Sequence, residues 1–553
     1  MPAPRWLDAS ELRVGLGCMR MSTDEGRDAQ VALETIAAAV DAGITVFDTA
    51  RAYGDNESLV ARGLRRSKAL ATARVVTKGG MRRDSGRWIP DGRAKSIRAD
   101  CEASLEALDG LEIDLYLIHA PDPGTPWKTS VRALARLVDD GLVKRVGVAN
   151  VNRRQLDEAL ELAPISAVQV ALSIYDDTAV RGGIVERCEE AGIALIAHSP
   201  LGGPRRSGRL ARQGLAEVAL ARLLELSPTV VAIPGARHPE TARSAARAAK
   251  LRLDARDRDA LGVTRPKQGV RPRGDGDVVL VMGIPGAGKS RVAEEYVARG
   301  YVGLNRDERG GSLRDIATAL DERLASGDRR VVLDNTYLTR AQRSYVVEAA
   351  ARHGVAARCI WLDTPLAQAQ VNLVERLLER FGSLPTPDEL RTRGRLEPGL
   401  LAPTSQMRAL RELEPPADDE GFVAIEQVPF ERSRPKRGAR GGVFVAAAAA
   451  EHRLEEADST APYLVFDWRP EASPEALADV VGELSARVSG PVEGALCPHP
   501  GGPPTCWCRP PLPGLPLAFA RAHGIEPARS TLIGASTAHR TLAATLGARY
   551  VSA

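Results

Sequence analysis

The 553-residue sequence lacks a long apolar run, a strong net charge of either sign and a regular cysteine framework. No segment approaches the roughly 18 consecutive apolar residues of a membrane-spanning helix, and the first residues, MPAPRWLDASELR, lack the apolar segment of a secretion signal. The 75 basic and 71 acidic residues leave a net charge of +4, which argues against a histone-like nucleic-acid binder. These absences predict a cytoplasmic protein with no membrane partner, in which any polyanion site is local.

The seven cysteines fall into two groups. Four of them are widely separated along the chain: Cys18, Cys101, Cys188 and Cys359. The other three, Cys497, Cys506 and Cys508, crowd together beside His499. Both groups fit a reducing compartment, and the crowded group suits a metal better than disulfides.

Short β-branched runs alternate with amphipathic helical stretches between about residues 13 and 262. The runs are ITVFDTA, ARVVTKG, IDLYLIHA, VKRVGVAN, ISAVQVAL, IALIAHSP and VVAIPGA. Their alternation predicts repeated β-α units in a parallel sheet. The polar residues suited to chemistry follow the carboxyl ends of these runs, where the active sites of β/α barrels lie. The sequence therefore predicts an α/β protein whose first domain, residues 1–265, is a (β/α)8 TIM barrel.

Two turn-rich, charged segments divide the rest of the chain. The Pro- and Gly-rich stretch at 266–276 is predicted to be a linker, followed by a second α/β domain over 277–431. The segment at 432–442 carries five cations and no acid; a solvated linker is predicted there, with a nucleic-acid contact as the alternative. Residues 443–553 are predicted to form a third, smaller α/β domain.

Four residues suited to carbonyl reduction stand just past successive strands of the first domain: Asp48, Tyr53, Lys78 and His119. In this order they resemble the catalytic set of the aldo-keto reductases. The resemblance covers about residues 13–262, and it implies that the tyrosine protonates a carbonyl that accepts a hydride. It also implies that the lysine and aspartate lower the tyrosine pKa and that the histidine orients the substrate. A free phenol titrates near about 10, so a neighbouring cation is needed to tune it. A purely structural Asp–Lys pair is the alternative.

The same resemblance implies a site for NADP(H). The matching residues are Asn150 and Gln169 at the nicotinamide amide, His198 in place of the stacking aromatic residue, Ser199, Leu201 and Gly202 over the pyrophosphate, and Arg237 and Arg243 for a 2′-phosphate. Where the family has an acidic residue and an asparagine at the adenine, this chain has Ser244 and Ala245. A barrel that senses a dinucleotide without turnover therefore stays open as an alternative. The carbonyl substrate, a small molecule or a nucleic-acid end, is left unspecified.

The segment GIPGAGKS at 283–290 has the spacing of a phosphate-binding loop. It follows the apolar run VVLVM and precedes the helical stretch SRVAEEYVARG, which is the context that such a loop requires. The residues predicted to bind ATP and Mg²⁺ are Gly283, Gly286, Ala287, Gly288, Lys289 and Ser290. Their amides face phosphates, the lysine reaches the β/γ oxygens and the serine ligates the metal. Asp334, at the end of the apolar run VVLD, is predicted to act near the magnesium.

Further segments resemble the 5′-hydroxyl polynucleotide kinases of the phage type: LNRDE at 304–308, LDNTYLTRAQR at 333–343 and an arginine-rich helix before LPTP. The resemblance implies that Asp307 is the base for a 5′-OH of RNA or DNA and that Arg376 or Arg380 contacts the transferring phosphate. Arg309 stands two residues after Asp307 where the family has three, so its place at the acceptor phosphate is left open. The alternative for Asp307 is a helix N-cap.

Metal-ligating side chains crowd within twelve residues of the third domain: Cys497, His499, Cys506 and Cys508. Thiolates and imidazole at this spacing bind Zn²⁺ tetrahedrally, and a full set of four predicts a structural site. With the flanking RPPLPGL and TLIGA, this segment resembles the zinc-bearing phosphatases of the haloacid-dehalogenase (HAD) superfamily. Alanines, among them Ala446 and Ala448, stand where the nucleophile and acid aspartates belong. The resemblance therefore implies a phosphatase-like domain without its nucleophile.

Together these features predict a bifunctional enzyme, an ATP-dependent polynucleotide 5′-kinase with an NADP-dependent reductase domain, acting in the repair of RNA or DNA ends. One alternative is a small-molecule kinase joined to an independent metabolic reductase. Another is a non-catalytic, dinucleotide-sensing barrel that serves the kinase as a scaffold.

Overall fold

The computed structural model describes residues 6–84, 86–261, 275–394, 397–430, 439–451 and 458–553. The chain divides into two compact units, Met1–Lys267 and Gln268–Ala553. The predicted linkers at 266–276 and 432–442 lie mostly outside the described residues. None of the helices in the described ranges combines the length and the apolar character needed to cross a membrane.

The first unit alternates strands with helices. Its strands are β1 (Leu16–Gly17), β2 (Val46–Asp48), β3 (Arg74–Gly79), β4 (Met81–Asp84), β5 (Arg87–Pro90), β6 (Leu115–Ile118), β7 (Val146–Ala149), β8 (Ile165–Ala171), β9 (Ala194–His198) and β10 (Val230–Ile233). Its helices are α1 (Arg20–Thr23), α2 (Ala29–Asp41), α3 (Asn56–Arg66), α4 (Ala94–Leu108), α5 (Trp127–Asp139), α6 (Arg153–Leu162), α7 (Thr178–Arg181), α8 (Ile184–Ala191), α9 (Pro204–Arg212), α10 (Ala216–Leu224), α11 (Pro239–Ala248) and α12 (Ala255–Ala260).

These strands close into a parallel barrel, as the sequence predicts. Their order is β1-β2-β3-β6-β7-β8-β9-β10. The amide of Gly15 donates to the carbonyl of Ala232 at 2.8 Å, and that of Gly17 donates to Pro234 at 3.0 Å, so the first and last strands are joined. The antiparallel pair β4–β5 is an inserted hairpin after β3. Since the carboxyl ends of parallel barrel strands meet at one rim, the residues that end β2, β3, β6, β8 and β9 share that rim.

The second unit begins with a five-stranded parallel sheet. Its strands are β11 (Asp277–Met282), β12 (Val302–Asn305), β13 (Arg330–Asp334), β14 (Ala356–Asp363) and β15 (Ala424–Pro429). Its helices are α13 (Lys289–Ala298), α14 (Arg306–Arg309), α15 (Leu313–Ala325), α16 (Arg340–Arg352), α17 (Leu366–Phe381), α18 (Pro387–Thr392) and α19 (Pro403–Glu412). The strand order β12-β13-β11-β14-β15 places the ends of β11, β12 and β13 side by side, and a ligand crevice forms where the strand order reverses in such sheets.

A second five-stranded parallel sheet follows in the same unit. Its strands are β16 (Val443–Ala446), β17 (Tyr463–Trp468), β18 (Val492–Cys497), β19 (Thr531–Gly534) and β20 (Arg549–Ser552), and its helices are α20 (Ala478–Ser485), α21 (Gly514–His523) and α22 (Thr537–Leu546). The order is β18-β17-β16-β19-β20. Helix α17 of the preceding sheet packs on α21 and α22, so the two sheets share an apolar core.

A buried ion pair holds α16 to the segment that precedes β15. The guanidinium of Arg343 donates to both carboxylate oxygens of Glu420, at 2.7 and 2.6 Å, and to the carbonyl of Glu414 at 2.9 Å. The side chain of Arg343 is 0% exposed and that of Glu420 is 3% exposed. Arg343 belongs to the LDNTYLTRAQR segment, and its partners give it a structural role.

We expect Arg343→Ala to lower the free energy of unfolding of the second unit by about 3–5 kcal/mol, because Glu420 keeps a buried charge with no cation beside it. Arg352→Ala on the same helix removes a pair to Asp321 that is about half exposed and is the matched control; it should cost less than about 1 kcal/mol. Urea unfolding, followed by circular dichroism, measures both. Equal losses in the two variants would contradict the structural role of the buried pair.

Candidate functional site

The predicted reductase residues meet at the carboxyl rim of the barrel. The ammonium of Lys78 donates to the two carboxylate oxygens of Asp48, at 2.7 and 2.8 Å, and to the carbonyl of Thr49 at 2.7 Å. The Lys78 side chain is 1% exposed, and its Nζ lies 5.3 Å from the centroid of the Tyr53 ring. Lysine has three N–H donors, and each has an acceptor here, so the pair is held rigidly under the tyrosine.

Tyr53 ends the short 3₁₀ helix Arg51–Tyr53 that follows β2. Burial raises the pKa of its phenol, and the positive charge of Lys78 acts in the opposite direction. The resemblance implies a lowered tyrosine pKa, whereas in this structure burial outweighs the cation. The phenol is protonated at neutral pH, as an unperturbed tyrosine would be, and this is the form that a proton donor needs.

His119 follows β6 and faces the same space. Burial and the charge of Lys78 lower the pKa of its imidazole to about 3, so the ring is neutral near pH 7. Its Nδ1 is buried and has no hydrogen-bond partner among the described residues. The His119 ring lies edge-on to Tyr53, with centroids 5.7 Å apart. Because Nδ1 is buried, the other ring nitrogen, Nε2, is the one left to contact a substrate oxygen in the cavity that His119 lines.

The two residues predicted to hold the nicotinamide amide are hydrogen-bonded to Asp48 and His119. Gln169 Nε2 donates to Asp48 Oδ1 at 2.7 Å, and Asn150 Nδ2 donates to the carbonyl of His119 at 2.9 Å. The Oδ1 of Asn150 lies 3.0 Å from Nε2 of His198. Burial lowers the pKa of His198, which favours a neutral ring above the barrel mouth. These residues line one cavity with Tyr53.

That cavity has a volume of about 570 Å³. Besides the residues above, its walls include Ser199 and Leu201; Gly202, which adopts φ +75°, stands beside them in the chain. Trp88, from the inserted hairpin, closes one side and lies 6.0 Å from the Tyr53 ring centroid. The sequence reasoning missed Trp88. Its position in a short, exposed hairpin after a catalytic strand was the available signal.

The predicted 2′-phosphate arginines do not line this cavity, but Arg237 lines an adjoining space of about 80 Å³ together with Arg20 and Asp24. Arg237 is paired with Asp24 at 3.4 Å, and Arg243 is 3.7 Å from Glu240. Neither arginine lines the cavity, whereas Asp24 and Arg20 do. Arg20 also pairs with Asp24, at 2.6 Å. The sequence reasoning missed the pair of Arg237 with Asp24, because nothing in the motifs around β1 brings Asp24 next to a residue more than 200 positions later.

The predicted phosphate loop connects β11 to α13. Gly286 adopts φ +86°, and a Cβ at this position would collide with the carbonyl of Ala369. Side chains from two later helices hold the loop: Asn372 Nδ2 donates to the carbonyl of Gly286, and Gln406 Nε2 donates to that of Pro285, both at 2.8 Å. The sequence reasoning missed both supports, since they lie 80 residues or more downstream.

Lys289 begins α13, and its Nζ donates to the carbonyl of Ile284 at 3.1 Å. Burial lowers the pKa of Lys289 to about 8, although the carboxylate of Asp334 acts in the opposite direction. Asp334 ends β13 and is buried, and Asn305 Nδ2 donates to it at 3.2 Å. Ser290, Lys289 and Asp334 line a cavity of the second unit. The lysine, serine and aspartate are therefore brought together.

Asp307 reaches this cavity from the first turn of α14. The N-cap of that helix is Asn305, whose Oδ1 accepts from the Asp307 amide at 2.6 Å. The alternative that Asp307 itself is the cap is therefore wrong. Asp307 lines the cavity together with Lys289.

The cavity between these residues has a volume of about 720 Å³. Arg376 of α17 lines it and also lines an adjoining space of about 150 Å³, together with Arg380 and Asp307. Arg380 itself reaches only the smaller space, where Nη1 donates to the carbonyl of Pro398 at 2.7 Å. Arg309 lines the larger cavity. Of the two arginines predicted to contact the transferring phosphate, Arg376 is the one that lines the larger cavity.

The four predicted metal ligands converge in the segment 497–508. Their ligand atoms all lie within 4.8 Å of one another. Neighbouring pairs are 3.3 Å apart for Cys508 and Cys497, 3.7 Å for Cys497 and Cys506, and 3.2 Å for Cys508 and His499. A tetrahedral zinc with thiolate bonds of about 2.3 Å separates two sulfurs by about 3.8 Å and a sulfur from a nitrogen by about 3.6 Å, and the three spacings lie within about 0.5 Å of these values. The donor set therefore fits a closed zinc site.

Comparison with known families separates the chain into two recognisable parts. Residues 13–214 match the aldo/keto reductase family, and residues 278–390 match a family of AAA domains. The chain thus carries an aldo/keto reductase domain and a P-loop domain of the nucleotide-kinase type, as the sequence predicts. The HAD resemblance of the third domain stays a prediction.

Three relatives each cover less than half of this chain. An uncharacterized oxidoreductase of Schizosaccharomyces pombe is 29% identical over 261 residues, which are 44% of this chain and 82% of that protein. A probable aldo-keto reductase of Glycine max is 33% identical over 198 residues, which are 34% of this chain and 56% of that protein. A solved thermostable aldo-keto reductase, in complex with the inhibitor epalrestat, is 30% identical, covers 45% of this chain and 93% of its own, and has a TM-score of 0.39.

Proposed function

Starting from a chain that joins an aldo/keto reductase domain to a P-loop domain, we propose a cytoplasmic, bifunctional enzyme of nucleic-acid end repair. Its second unit transfers the γ-phosphate of ATP to the 5′-OH of RNA or DNA. Its barrel reduces a carbonyl with NADPH. The observation that supports the kinase proposal is a single cavity that Lys289, Asp307 and Arg376 line together; Asp307 and Arg376 also line the smaller adjoining space.

Each residue has a distinct task in this proposal. The loop amides and Lys289 hold the β- and γ-phosphates, while Ser290 and Asp334 hold Mg²⁺, which neutralises the phosphate oxygens when bound. Asp307 takes the proton of the attacking hydroxyl. Arg376 stabilises the charge on the phosphoryl group during its transfer, because this residue lines both the larger cavity and the smaller space beside Asp307.

The test is transfer of labelled γ-phosphate from ATP to 5′-OH oligomers of RNA and of DNA, in parallel with nucleosides and small sugars. We expect oligomers to be the better acceptors. Carboxylates line the cavity among the arginines, and this mixed lining supports the second candidate, a small-molecule kinase. Phosphorylation of a nucleoside or sugar in preference to every oligomer would decide for that candidate.

The pKa of Lys289 provides a test of ATP binding. With a pKa of about 8, this lysine is partly neutral above pH 8 in the nucleotide-free protein, and bound phosphates raise its pKa. ATP binding should therefore take up close to one proton near pH 9 and almost none near pH 6.5. Calorimetry in two buffers of different ionisation enthalpy measures the uptake.

Lys289→Arg is the matched control for this measurement, because arginine stays protonated throughout the range. The variant should show no uptake at either pH. Uptake that is equal in both proteins would contradict the assignment of the proton to Lys289.

The reductase proposal rests on Asp48, Tyr53 and His119 at one cavity, with Lys78 buried against Asp48. Tyr53 donates its proton to the carbonyl oxygen, and the neutral His119 orients that oxygen. The nicotinamide, when bound, supplies the hydride, and Asn150 and Gln169 are the residues that would hold its amide. We propose NADP(H) as the dinucleotide, with Arg20 added to Arg237 and Arg243 as candidate phosphate contacts.

We also propose that the third domain holds one structural zinc through Cys497, His499, Cys506 and Cys508 and hydrolyses no phosphate ester. Four protein ligands leave no position for a catalytic water, and Ala446 ends the strand where a nucleophile belongs.

Cys506→Ala is expected to lower the zinc content from one per chain to near zero and to destabilise this domain. Cys359→Ala is the control, since it also removes a buried thiol of the second unit but lies in β14. Metal analysis of the purified proteins measures both, together with release of phosphate from 3′-phosphorylated oligomers. Hydrolysis by the zinc-bearing protein would contradict the inactive assignment.

A further inference from the structure

Helix α17 contributes both to the cavities of the P-loop sheet and to the apolar core of the third domain. One side carries Arg376 and Arg380 towards the phosphate cavities. The other side packs Val374 and Leu378 into the apolar core that contains Phe444 of β16. The position of Arg376 is therefore set by the third domain as well as by the P-loop sheet.

The segment 397–401, which forms one wall of the larger cavity, lies against both arginines of α17. Arg380 Nη1 donates to the carbonyl of Pro398 at 2.7 Å. A Cβ on Gly399 would lie 3.4 Å from Nη2 of Arg376. This is an ordinary van der Waals distance, so the wall lies about one methyl group away from the Arg376 guanidinium, and both line the same cavity. A shift of the wall would move Arg376 or change the space around it.

The opposite side of the same wall is held by the cysteine cluster. Trp507 stands in the chain between the two ligands Cys506 and Cys508 and is 0% exposed. Its indole Nε1 donates to the carbonyl of Leu401 at 2.8 Å. Leu384, in the segment after α17, packs directly on the cysteines. One hydrogen bond thus links the proposed metal site to the lining of the cavity.

We propose that Trp507 is a positioning residue of the kinase, and that the metal-bound segment 497–508 holds the 397–401 wall so that Arg376 stays aimed at the transferring phosphate. This inference rests on the kinase and zinc assignments proposed above. Arg376 acts mainly in the transition state, whereas the phosphate loop is held by Asn372 and Gln406. Loss of the support should therefore lower kcat and leave the KM for ATP near its original value.

The first arm of the test compares two Trp→Phe variants of the full chain. Trp507→Phe keeps a ring in the core and removes the donor to Leu401. Trp361→Phe in β14 removes an indole N–H that has no acceptor among the described residues, and it is the matched control. We expect kcat to fall about 3- to 10-fold for Trp507→Phe only, which corresponds to the loss of one hydrogen bond of about 1 kcal/mol.

The second arm does not depend on turnover. Hydrogen–deuterium exchange should become faster over 397–401 in Trp507→Phe, while the phosphate loop at 283–290 stays protected and the zinc content stays at one per chain. Removal of zinc from the original chain with a chelator should accelerate exchange in the same segment. This native-chain arm carries the test if the variant fails to fold.

Unchanged exchange over 397–401, in the variant and after zinc removal, would overturn the inference. A fall in kcat matched by an equal rise in the KM for ATP would overturn it too, because general loosening of the site would then explain the loss. If the original chain phosphorylates no 5′-OH oligomer, the proposed function fails instead, and the exchange arm still decides whether the cysteine cluster supports the wall.

Discussion

Replacing Asp307 with asparagine is expected to lower kcat for 5′-phosphorylation by about 10²- to 10⁴-fold, because the substitution keeps the shape of the side chain and removes the base. The KM for ATP should change little, since the phosphates are held by Lys289 and the loop. Initial rates of γ-phosphate transfer to a 5′-OH oligomer measure both constants.

Glu308→Gln is the control for Asp307→Asn. It removes the same charge from the neighbouring position of α14, and Glu308 also lines the cavity. This variant should stay within about threefold of the original rate, because no proton transfer depends on it. A near-normal rate for Asp307→Asn would show that Asp307 is not the base. An equal loss in the two variants would show that the loss comes from local charge and not from a missing base.

Replacing Tyr53 with phenylalanine should lower the rate of carbonyl reduction by about 10²- to 10⁴-fold and leave NADP(H) affinity unchanged. The ring that packs against Trp88 and His119 is retained, so the cavity keeps its shape, while the proton donor is lost. NADPH oxidation against a panel of aldehydes gives the rate, and calorimetry gives the affinity.

Tyr175→Phe is the matched control for this change. Tyr175 is partly exposed, and its ring faces Arg206 without lining the reductase cavity. The variant should reduce aldehydes at the original rate. If neither the original protein nor the control binds a dinucleotide, the barrel is a scaffold and the reductase proposal fails.

The features that the sequence predicts well are those in which chemistry is contiguous in the chain. The phosphate loop needs glycines, Lys289 and Ser290 within eight residues, between a strand and a helix, and both neighbours form as predicted. Local spacing likewise predicts the convergence of the cysteine cluster. The barrel follows from a repeated alternation, since each β-α unit has only one way to pack on a parallel sheet.

What the sequence leaves open depends on which face a side chain presents to a distant partner. Arg376 and Arg380 are one helical turn apart and cannot be distinguished in the sequence, yet only Arg376 lines the larger cavity. Arg237 matches a predicted cofactor contact, but it pairs with Asp24 where the first and last strands of the barrel meet.

The sequence by itself predicted the chemical content of this protein: a phosphate loop and a metal-ligand cluster, each contained in a short segment, and a reductase set at the ends of successive strands. Only the tertiary structure decided how these parts are joined. The bond from Trp507 to Leu401 spans 106 positions, and the pair of Arg343 with Glu420 spans 77. Such partners are selected by the packing of whole helices and sheets, which no local pattern records.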